Sequence, residues 1–321
     1  MKAILGEAYG RPEKVLQLRD VEKPVPGEGE VLMKVYSASA NIADLYGVSG
    51  VSRLLGSGIT KPKDPRVGND GAGEVEAVGA GVKHFQAGDQ VFGSCLGSFA
   101  EFTLAREDRL AKVPPGVSFE DAAAVPIAGL TALQCLRDKG KVKAGQEVAI
   151  NGASGGVGTF SVQIAKSFGA SVTGVCSTRN LEQARTIGSD RVIDYTKEDF
   201  TRDGRTYDLI CDIVGNHSVG DYRRALKPGG ICLIVGFAGN PIFGLVKFSV
   251  TTRLRPGGDR KVGFMGIAKM NSADLEYMGQ LLATGKVKPV IERRYQLSET
   301  ASALQYIAEK HTRGKVIITV A

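Results

Sequence analysis

The spacing of apolar residues divides the chain into two regions. Up to about position 120, short apolar runs alternate with Gly and Pro turns, a pattern typical of a β-rich domain. The strands predicted in this region cover residues 2–5, 30–40, 71–78, 90–92 and 99–104. From Phe119 onward, helical patterns alternate with runs of β-branched residues, which indicates βαβ units around a parallel sheet.

The second region contains predicted strands with helices between them. The strands cover residues 147–150, 171–176, 191–193, 209–214, 231–235 and 262–265, and the helices cover 157–168, 181–187 and 219–226. The chain continues with a helix at 272–283, a strand at 287–293, a helix at 298–310 and a strand at 315–320. We expect this last segment to return to the first domain, so that residues 1–120 and 267–321 form one domain and residues 121–266 the other.

Length and composition agree with two packed domains. A chain of 321 residues is too long for one ordinary core, and a hydrophobic content of 43% is too high for a disordered chain. No apolar run near the start resembles a signal sequence and none approaches the ~18 residues of a membrane span, so we expect a cytoplasmic protein. The five cysteines stand singly with no C-x-x-C pair, which predicts reduced and mostly buried thiols.

The formal net charge of +7 raises the question of a nucleic-acid partner. Lys and Arg are spread along the chain, apart from a small group at Arg253, Arg255, Arg260 and Lys261. A polyanionic small cofactor explains the excess at least as well. Neither an RNP motif nor an interleaved basic and aromatic stripe is present, so no nucleic-acid partner is expected.

A glycine-rich turn stands where a dinucleotide-binding fold would place one. The apolar strand at 147–150 runs into Asn-Gly-Ala-Ser-Gly-Gly-Val-Gly at 151–158 and then into an amphipathic helix. Small residues let the backbone approach a pyrophosphate, and the following helix offers free N–H groups and the positive end of its dipole. We therefore predict phosphate contacts from Ser154, Gly155, Gly156, Val157 and Gly158.

The end of the next strand carries the signal for cofactor choice. An NAD-preferring site places Asp or Glu about 20 residues after the glycine turn to bind the ribose 2′-OH. Here the segment instead offers Ser177, Thr178, Arg179 and Asn180, which suit a 2′-phosphate through charge-assisted hydrogen bonds. Tyr195, after the third strand, could add a hydroxyl. NADPH is predicted as the cofactor; simple helix capping by Ser177 or Asn180 is the structural alternative.

Several separated motifs resemble the medium-chain dehydrogenase/reductase superfamily, in its quinone oxidoreductase (zeta-crystallin-like) and 2-alkenal reductase branch. They are the glycine turn, the segment AAAVPIAGLTA at 122–132, the Phe85-x-x-Gly88-Asp89-x-Val91 stretch and the terminal Gly314-Lys315-Val316. The resemblance covers essentially the whole chain. It implies an α/β protein with a GroES-like β-rich catalytic domain and a Rossmann doubly wound parallel-sheet cofactor domain, with the active site in the cleft between them.

The resemblance also bears on zinc. At the positions where zinc alcohol dehydrogenases carry Cys, His and Cys or an acid, this chain aligns Asn41, Asn69 and Ile127. A catalytic zinc needs three thiolate, imidazole or carboxylate ligands, so no metal is expected. The four-cysteine lobe for structural zinc is missing too, because Cys95 stands alone in its region. The three histidines are far apart in the sequence, in surface-like contexts.

Loss of the zinc Lewis acid disfavours oxidation of simple alcohols. Hydride addition to a quinone, or to the β-carbon of an enal or enone, needs only hydrogen bonds because the charge spreads over a conjugated system. The predicted activity is therefore NADPH-dependent reduction of quinones or of α,β-unsaturated carbonyls. By resemblance, Asn41 orients the substrate oxygen or the carboxamide and Tyr46 donates a hydrogen bond, with packing against the cleft wall an equal alternative for Tyr46. Asp44 is interpreted as a helix-cap or surface carboxylate.

The resemblance further assigns contacts along the cofactor. They fall to Thr131, Val214, Val235, Gly236, Phe237, Phe264 and Lys315. It also implies a homodimer joined along the edges of two Rossmann sheets, with 231–236 or 262–267 as the edge. The apolar segment 241–252 is predicted to be a cleft lip or subunit contact, with loop packing as the alternative.

Two other interpretations stay open from the sequence. One is a relative of the zinc-type alcohol dehydrogenases, against which the missing ligand set counts. The other is a non-enzymatic protein that binds NADPH, like the crystallins or RNA-binding members of this fold.

Overall fold

The computed structural model describes residues 1–51, 53, 57–239, 241–254, 258–309 and 312–320. The chain forms two compact units. The first consists of Met1–Leu130 and Lys269–Ala321, and the second of Thr131–Ala268. The final segment is part of the first unit, and the division between the two units follows Leu130.

The strands are numbered along the chain. They are β1 (Lys2–Gly6), β2 (Leu16–Asp20), β3 (Glu30–Ala40), β4 (Asp70–Val78), β5 (Gln90–Ser94), β6 (Phe102–Arg106), β7 (Leu110–Lys112), β8 (Glu147–Asn151), β9 (Ser171–Cys176), β10 (Arg191–Asp194), β11 (Tyr207–Asp212), β12 (Leu226–Ile234), β13 (Lys261–Phe264), β14 (Ile291–Gln296) and β15 (Lys315–Thr319). The helices are α1 (Pro12–Val15), α2 (Ile42–Ser49), α3 (Phe119–Ala123), α4 (Pro126–Leu133), α5 (Gly156–Ser167), α6 (Leu181–Thr186), α7 (Val219–Ala225), α8 (Pro241–Leu254), α9 (Ser272–Ala283) and α10 (Thr300–Ala308).

The first unit is built on a mainly antiparallel sheet. Its order is β14-β15-β3-β4-β5-β7, and β6 pairs with β3 outside this path. β1 and β2 form a separate antiparallel pair. The core lies under β3, whose alternate residues such as Val31, Met33 and Val35 are fully buried. The register of β3 with both β4 and β15 brings the beginning of β4 and the beginning of β15 to the end of β3 at Ala40.

The second unit is a parallel sheet of six strands in the order β10-β9-β8-β11-β12-β13. Numbered from β8, this order is 3-2-1-4-5-6, the doubly wound arrangement of dinucleotide-binding domains. The chain crosses over between β8 and β11, which makes the carboxyl ends of these two strands the expected place for a ligand. The predicted α/β class and the Rossmann parallel sheet are confirmed by this strand order.

Several predicted boundaries were wrong for local reasons. The exposed strand β2 escaped prediction because Leu16 is its one buried residue, so no apolar alternation marks it. The strand predicted at 287–293 begins at Ile291, because Pro289 has no N–H group to donate to a neighbouring strand. The segment 241–252 lies within helix α8 and is not a loop.

The sheet order also corrects one prediction of the subunit edge. β12 pairs with both β11 and β13, so the segment 231–236 lies largely inside the sheet. In the described residues, β13 is the last strand on that side of the sheet, which leaves 262–267 as the edge candidate.

All five cysteines are free and buried, as predicted. No described helix combines the length and apolar character required to cross a membrane.

Candidate active site

The glycine turn connects the end of β8 to the first turn of α5. β8 ends at Asn151, and Gly152 adopts φ +88°, which bends the chain away from the strand direction. Gly155 is the N-cap of α5, with an ordinary φ of −83°. Because the first N–H groups of a helix have no partners within it, this end of α5 presents free donors and the positive end of the helix dipole.

Gly155 and Gly158 meet different needs for a residue without a side chain. A Cβ atom on Gly158 would stand 2.0 Å from the carbonyl oxygen of Gly152, so Gly158 allows the helix to pack against the turn. A Cβ atom on Gly155 would meet only that same oxygen, at 3.6 Å, which is an ordinary contact. The protein itself therefore does not require glycine at position 155. The missing side chain leaves open space at the helix N-terminus, which is the space a pyrophosphate needs.

The segment after β9 is tied to the glycine turn by one buried amide. Asn180 Nδ2 donates to Ser154 Oγ at 3.0 Å and to Ser177 Oγ at 3.2 Å. The side chain of Asn180 is buried, and its Oδ1 has no hydrogen-bond partner within the described residues. Arg179 is exposed beside it. Asn180 thus joins the two segments that sequence analysis assigned to the pyrophosphate and to the 2′-phosphate.

A carboxylate that sequence analysis missed adjoins the same segment. Asp194, the last residue of β10, is buried, and its Oδ2 accepts a hydrogen bond from Thr178 Oγ1 at 2.5 Å. Its Oδ1 accepts from the backbone N–H and the hydroxyl of Thr196 at 3.0 and 2.7 Å. The Thr178 hydrogen bond lowers the pKa of Asp194. Tyr195, the next residue, is 60% exposed. Only the pairing of β10 with β9 could reveal this contact, because 16 positions separate the two side chains.

A second missed carboxylate organises the turn after β11. Asp212 is fully buried, and its Oδ1 accepts from the backbone N–H groups of Val214 and Gly215 at 2.8 and 2.7 Å. Its Oδ2 accepts from Asn151 Nδ2 at 3.0 Å. Asp212 therefore connects the ends of β8 and β11 at the topological crossover. Val235 follows β12 and donates its N–H to the Asp212 carbonyl at 2.7 Å.

The other predicted cofactor residues of the second unit lie at the carboxyl ends of the same strands. Gly236 and Phe237 are half-buried after β12, and Phe264 ends β13. The rings of Phe237 and Phe264 lie 5.6 Å apart between centroids. Thr131 is half-buried in α4, where the second unit begins. The carboxyl edge of this sheet therefore collects the predicted residues of the turn, the 177–180 segment and the segments after β10 to β13.

In the first unit, three sequence-distant polar residues meet at the end of β3. Asn41 Nδ2 donates to Asp70 Oδ2 at 2.9 Å and to the Ser39 carbonyl at 3.1 Å. Lys315 Nζ donates to Asn41 Oδ1 at 2.6 Å and stands 4.0 Å from Asp70 Oδ2. Asp70 also accepts from the backbone N–H of Ile127 at 3.2 Å. The side chains of Asp70 and Lys315 are 0% and 2% exposed, so the charges are removed from water.

A second carboxylate completes this group. Asp44 Oδ2 accepts from the Asn41 backbone N–H at 2.8 Å, and Asp44 Oδ1 accepts from Asn69 Nδ2 at 2.6 Å. The helix-cap interpretation of Asp44 is confirmed, but Asp44 is buried and is not a surface carboxylate. We call Asn41, Asp44, Asn69, Asp70 and Lys315 the buried polar cluster.

Burial controls the ionisation of the cluster. It raises the pKa of Asp44 to about 6 and that of Asp70 to about 7, against the opposing effects of hydrogen bonds and of the Lys315 charge. It also lowers the pKa of Lys315. Tyr46, in the middle of α2, is half-buried, and this burial raises the pKa of its hydroxyl. The assigned roles of Asn41 and Tyr46 stay predictions, as does the cofactor contact of Lys315, whose ammonium group is held inside the first unit.

The positions aligned with zinc ligands carry other chemistry here. Asn41 and Asn69 are neutral amides that hydrogen bond to carboxylates, and Ile127 contributes only its backbone N–H. Across the described part of the chain, no group of three or more His, Cys, Asp and Glu side chains is placed to hold a metal ion. His217 is not a free surface residue, because its Nε2 lies 3.2 Å from Asp199 Oδ1 and its ring packs edge-on against Phe200. His311 lies outside the described residues.

The parallel sheet, its crossover and the glycine turn define a dinucleotide-binding protein, and comparison with known proteins agrees. The family model for the alcohol dehydrogenase GroES-like domain matches residues 27–115, and that for zinc-binding dehydrogenases matches residues 187–318. The quinone oxidoreductase of Pseudomonas aeruginosa is 32% identical over 330 residues, covering 99% of each chain. The 2-methylene-furan-3-one reductase of Solanum lycopersicum is 31% identical over 332 residues, covering 99% of this chain and 79% of that protein.

A solved structure extends the likeness to three dimensions. The quinone oxidoreductase from Coxiella burnetii matches with a TM-score of 0.88 and 31% identity, covering 100% of this chain and 99% of that one. The chain therefore belongs to the medium-chain dehydrogenase/reductase superfamily, in its zinc-free quinone oxidoreductase branch, as the motifs predicted. It is an oxidoreductase that uses a nicotinamide cofactor.

Proposed function

We propose that this protein transfers hydride from NADPH to quinones or to the C=C bond of α,β-unsaturated carbonyls, without a metal. The observation that carries the cofactor part is the open space at Gly155, which the fold does not need and a pyrophosphate would fill. The nicotinamide, when bound, supplies the hydride. The residues of the chain bind and orient the two reactants and receive the charge that develops on the acceptor.

The preference for NADPH rests on the 177–180 segment. Ser177 offers a hydroxyl and Arg179 offers an exposed guanidinium, the groups that bind a 2′-phosphate in charge-assisted hydrogen bonds. The Thr178 hydroxyl donates its one proton to Asp194 and is not available to donate to the phosphate. The carboxylate of Asp194, which adjoins this segment, would oppose a phosphate. Both of its oxygens already accept hydrogen bonds from threonines, at 2.5 to 3.0 Å, which disperses its negative charge. We therefore propose NADPH, rather than NADH, as the preferred cofactor.

The acceptor class follows from the groups at the end of β3. No three described His, Cys, Asp or Glu side chains there are grouped to hold a metal ion, so we expect hydrogen bonds to stabilise a substrate oxygen. Quinones and enones suit such a site because the added charge spreads over several atoms. The Pseudomonas and Solanum relatives, a quinone oxidoreductase and a 2-methylene-furan-3-one reductase, support both acceptor types. We assign Asn41 to orienting the acceptor or the carboxamide, and the Tyr46 hydroxyl to donating a hydrogen bond.

A homodimer is part of the proposal. Within the described residues β13 pairs with β12 only, and apolar side chains stand exposed on α8 and just after β13. Phe243 is 70% exposed, Val246 57% and Ile267 88%. An unpaired strand edge beside exposed apolar residues is a typical place for subunit pairing.

The test follows NADPH absorbance at 340 nm with a chelator present. Parallel reactions contain 1,4-benzoquinone, acrolein, a longer 2-alkenal or a saturated aldehyde, and the series is repeated with NADH. We expect oxidation by the conjugated acceptors alone, faster with NADPH. Activity confined to the saturated aldehyde and lost with chelator would favour the zinc-type alcohol dehydrogenases. No oxidation by any acceptor, with a salt-dependent shift of a generic RNA, would favour the non-enzymatic alternative.

A further inference from the structure

We propose that Asp70 and Lys315 are positioning residues that lock the orientation of the Asn41 amide and the start of α2. This inference rests on the proposed function, because it takes Asn41 and Tyr46 as the groups that face the reactants. Neither Asp70 nor Lys315 has to touch the substrate for this role. They act through Asn41, to which both are hydrogen bonded.

The first argument is that the amide has a defined orientation. An asparagine side chain can reverse its oxygen and nitrogen at little steric cost, so its orientation is set by its partners. Here the NH2 group faces the Asp70 carboxylate at 2.9 Å and the oxygen faces the Lys315 ammonium at 2.6 Å. Reversal would place the oxygen against the carboxylate and the NH2 group against the ammonium. The pair of charges therefore permits one orientation and opposes the other.

The second argument concerns the segments that the cluster joins. Asp70 begins β4, Lys315 begins β15, and Asn41 is the N-cap of α2. Asp70 also accepts from the Ile127 N–H in the first turn of α4. Since Tyr46 lies in α2, a shift of Asn41 would move the helix that carries Tyr46 as well. Two proposed contact residues thus depend on one pair of buried charges.

The third argument is energetic. Removing a carboxylate and an ammonium group from water is costly, and a pair of apolar residues of similar volume is often at least as stable. Asp70 and Lys315 are nevertheless fully buried, and their charged atoms are 4.0 Å apart rather than in direct contact. The Asn41 amide stands between them and hydrogen bonds to both. A pair arranged for stability alone would gain more from direct contact than from holding an amide between its charges.

The test is a double-mutant cycle on turnover. Lys315→Met should lower kcat about tenfold to a hundredfold in the wild-type background, as expected for a misplaced contact group. In an Asn41→Ala background the same substitution should change kcat by less than about twofold, because the group it positions is gone. NADPH affinity is measured in the same variants: a change within about twofold is expected if Lys315 acts through Asn41, and a large loss of affinity in Lys315→Met would overturn the proposal in favour of the direct cofactor contact. Equal effects of Lys315→Met in both backgrounds would overturn the proposal.

Two further variants separate positioning from folding. Lys315→Met removes the cation beside two buried carboxylates, Asp70 and Asp44, and so can destabilise the fold. The double variant Asp70→Asn/Lys315→Met removes the Asp70 charge as well and is the comparison in which that cost is reduced. We expect it to regain thermal stability relative to Lys315→Met while kcat stays low. Recovery of kcat together with stability would show a purely structural role. Lys112→Met, which removes an exposed ion pair with Asp89 in the same unit, is the matched control and should leave kcat unchanged.

The NMR signals of the Asn41 side chain test the positioning role without any measurement of activity, so they remain informative if the proposed function is wrong. In protein labelled with ¹⁵N-asparagine, the Asn41 side-chain NH2 signals are identified by their loss in Asn41→Ala. We expect two distinct signals with slow solvent exchange in the wild type, moved and exchanging faster in Lys315→Met but not in Lys112→Met. Signals that are insensitive to Lys315→Met would overturn the positioning role. If no acceptor oxidises NADPH while these signals respond as expected, the proposed function fails and the positioning of Asn41 stands.

Discussion

Replacing Gly155 by alanine separates cofactor binding from folding at the glycine turn. Gly155 has φ −83° and ψ 178°, which any residue adopts, and an added Cβ would stand 3.6 Å from its nearest neighbour. Such a Gly→Ala change stabilises a protein by about 0.4–1 kcal/mol, because the unfolded chain loses freedom. We therefore expect the melting temperature of Gly155→Ala to equal or exceed that of the wild type.

The same methyl group should weaken NADPH binding. It fills the space at the N-terminus of α5, where the pyrophosphate would accept hydrogen bonds from the backbone. Loss of one charge-assisted hydrogen bond, worth about 1.5–3 kcal/mol, corresponds to a Kd about 10-fold to 150-fold higher. Titration calorimetry with NADPH measures this change, and thermal unfolding without cofactor measures stability.

Two other glycines serve as controls. Gly158→Ala places a methyl group 2.0 Å from a backbone oxygen, so we expect destabilisation of at least about 2 kcal/mol together with weaker binding. Gly220, in the first turn of α7, would meet only Ser218 Oγ at 3.6 Å, and its alanine variant should keep both stability and affinity. Unchanged NADPH affinity in Gly155→Ala would refute the assignment of this space to the cofactor.

Four further predictions follow from the other residues. Arg179→Ala should raise the KM for NADPH about 10-fold to 100-fold and leave that for NADH unchanged; equal effects on both would show that Arg179 does not contact the 2′-phosphate. Tyr46→Phe should lower kcat about 10-fold with little change in KM, and unchanged turnover would remove any hydrogen-bonding role of its hydroxyl. The raised pKa of Asp44, about 6 in the folded state against 3.8, means that its contribution to stability is fully present below about pH 4 and is lost as the pH rises through 6. The free energy of unfolding, measured in urea as a function of pH, should therefore vary by up to about 3 kcal/mol less in Asp44→Asn than in the wild type. The same pH profile for the wild type and Asp44→Asn would contradict the reasoning. Ile267→Asp should convert a dimer to monomer in light scattering without loss of the NADPH site, and an unchanged mass would place any subunit contact elsewhere.

The local patterns along the chain were sufficient for much of the fold and for half of the site. The parallel sheet was predictable because its central strands contain buried apolar runs, such as residues 148–150 in β8 and 209–211 in β11. The glycine turn was predictable because small residues are needed between a strand and a helix at that point. The strand β2 was missed because it has one buried residue and so leaves no periodic signal. The helix α2 was missed because its eight residues are too few for a clear helical pattern. The family resemblance supplied Asn41, Tyr46 and Lys315, which no local pattern marks.

The contacts between distant segments could not be predicted. Asp194 lies beside Thr178 because β10 pairs with β9, and Asp212 meets Asn151 because β11 pairs with β8. From the sequence, Asp194 is only a residue before Tyr195 and Asp212 only a strand end. The choice between 231–236 and 262–267 as the sheet edge likewise depended on strand order, which apolar patterns do not encode.

The sequence by itself determined the class of this protein, the glycine turn and the absence of an acidic residue in the 177–180 segment, because these depend on neighbours along the chain. Only the tertiary structure decided that Asn41, Asp70 and Lys315 form one buried cluster, since 274 positions separate Asn41 from Lys315. It also decided their ionisation, because a pKa depends on burial and on nearby charges, and both arise only when the chain is folded.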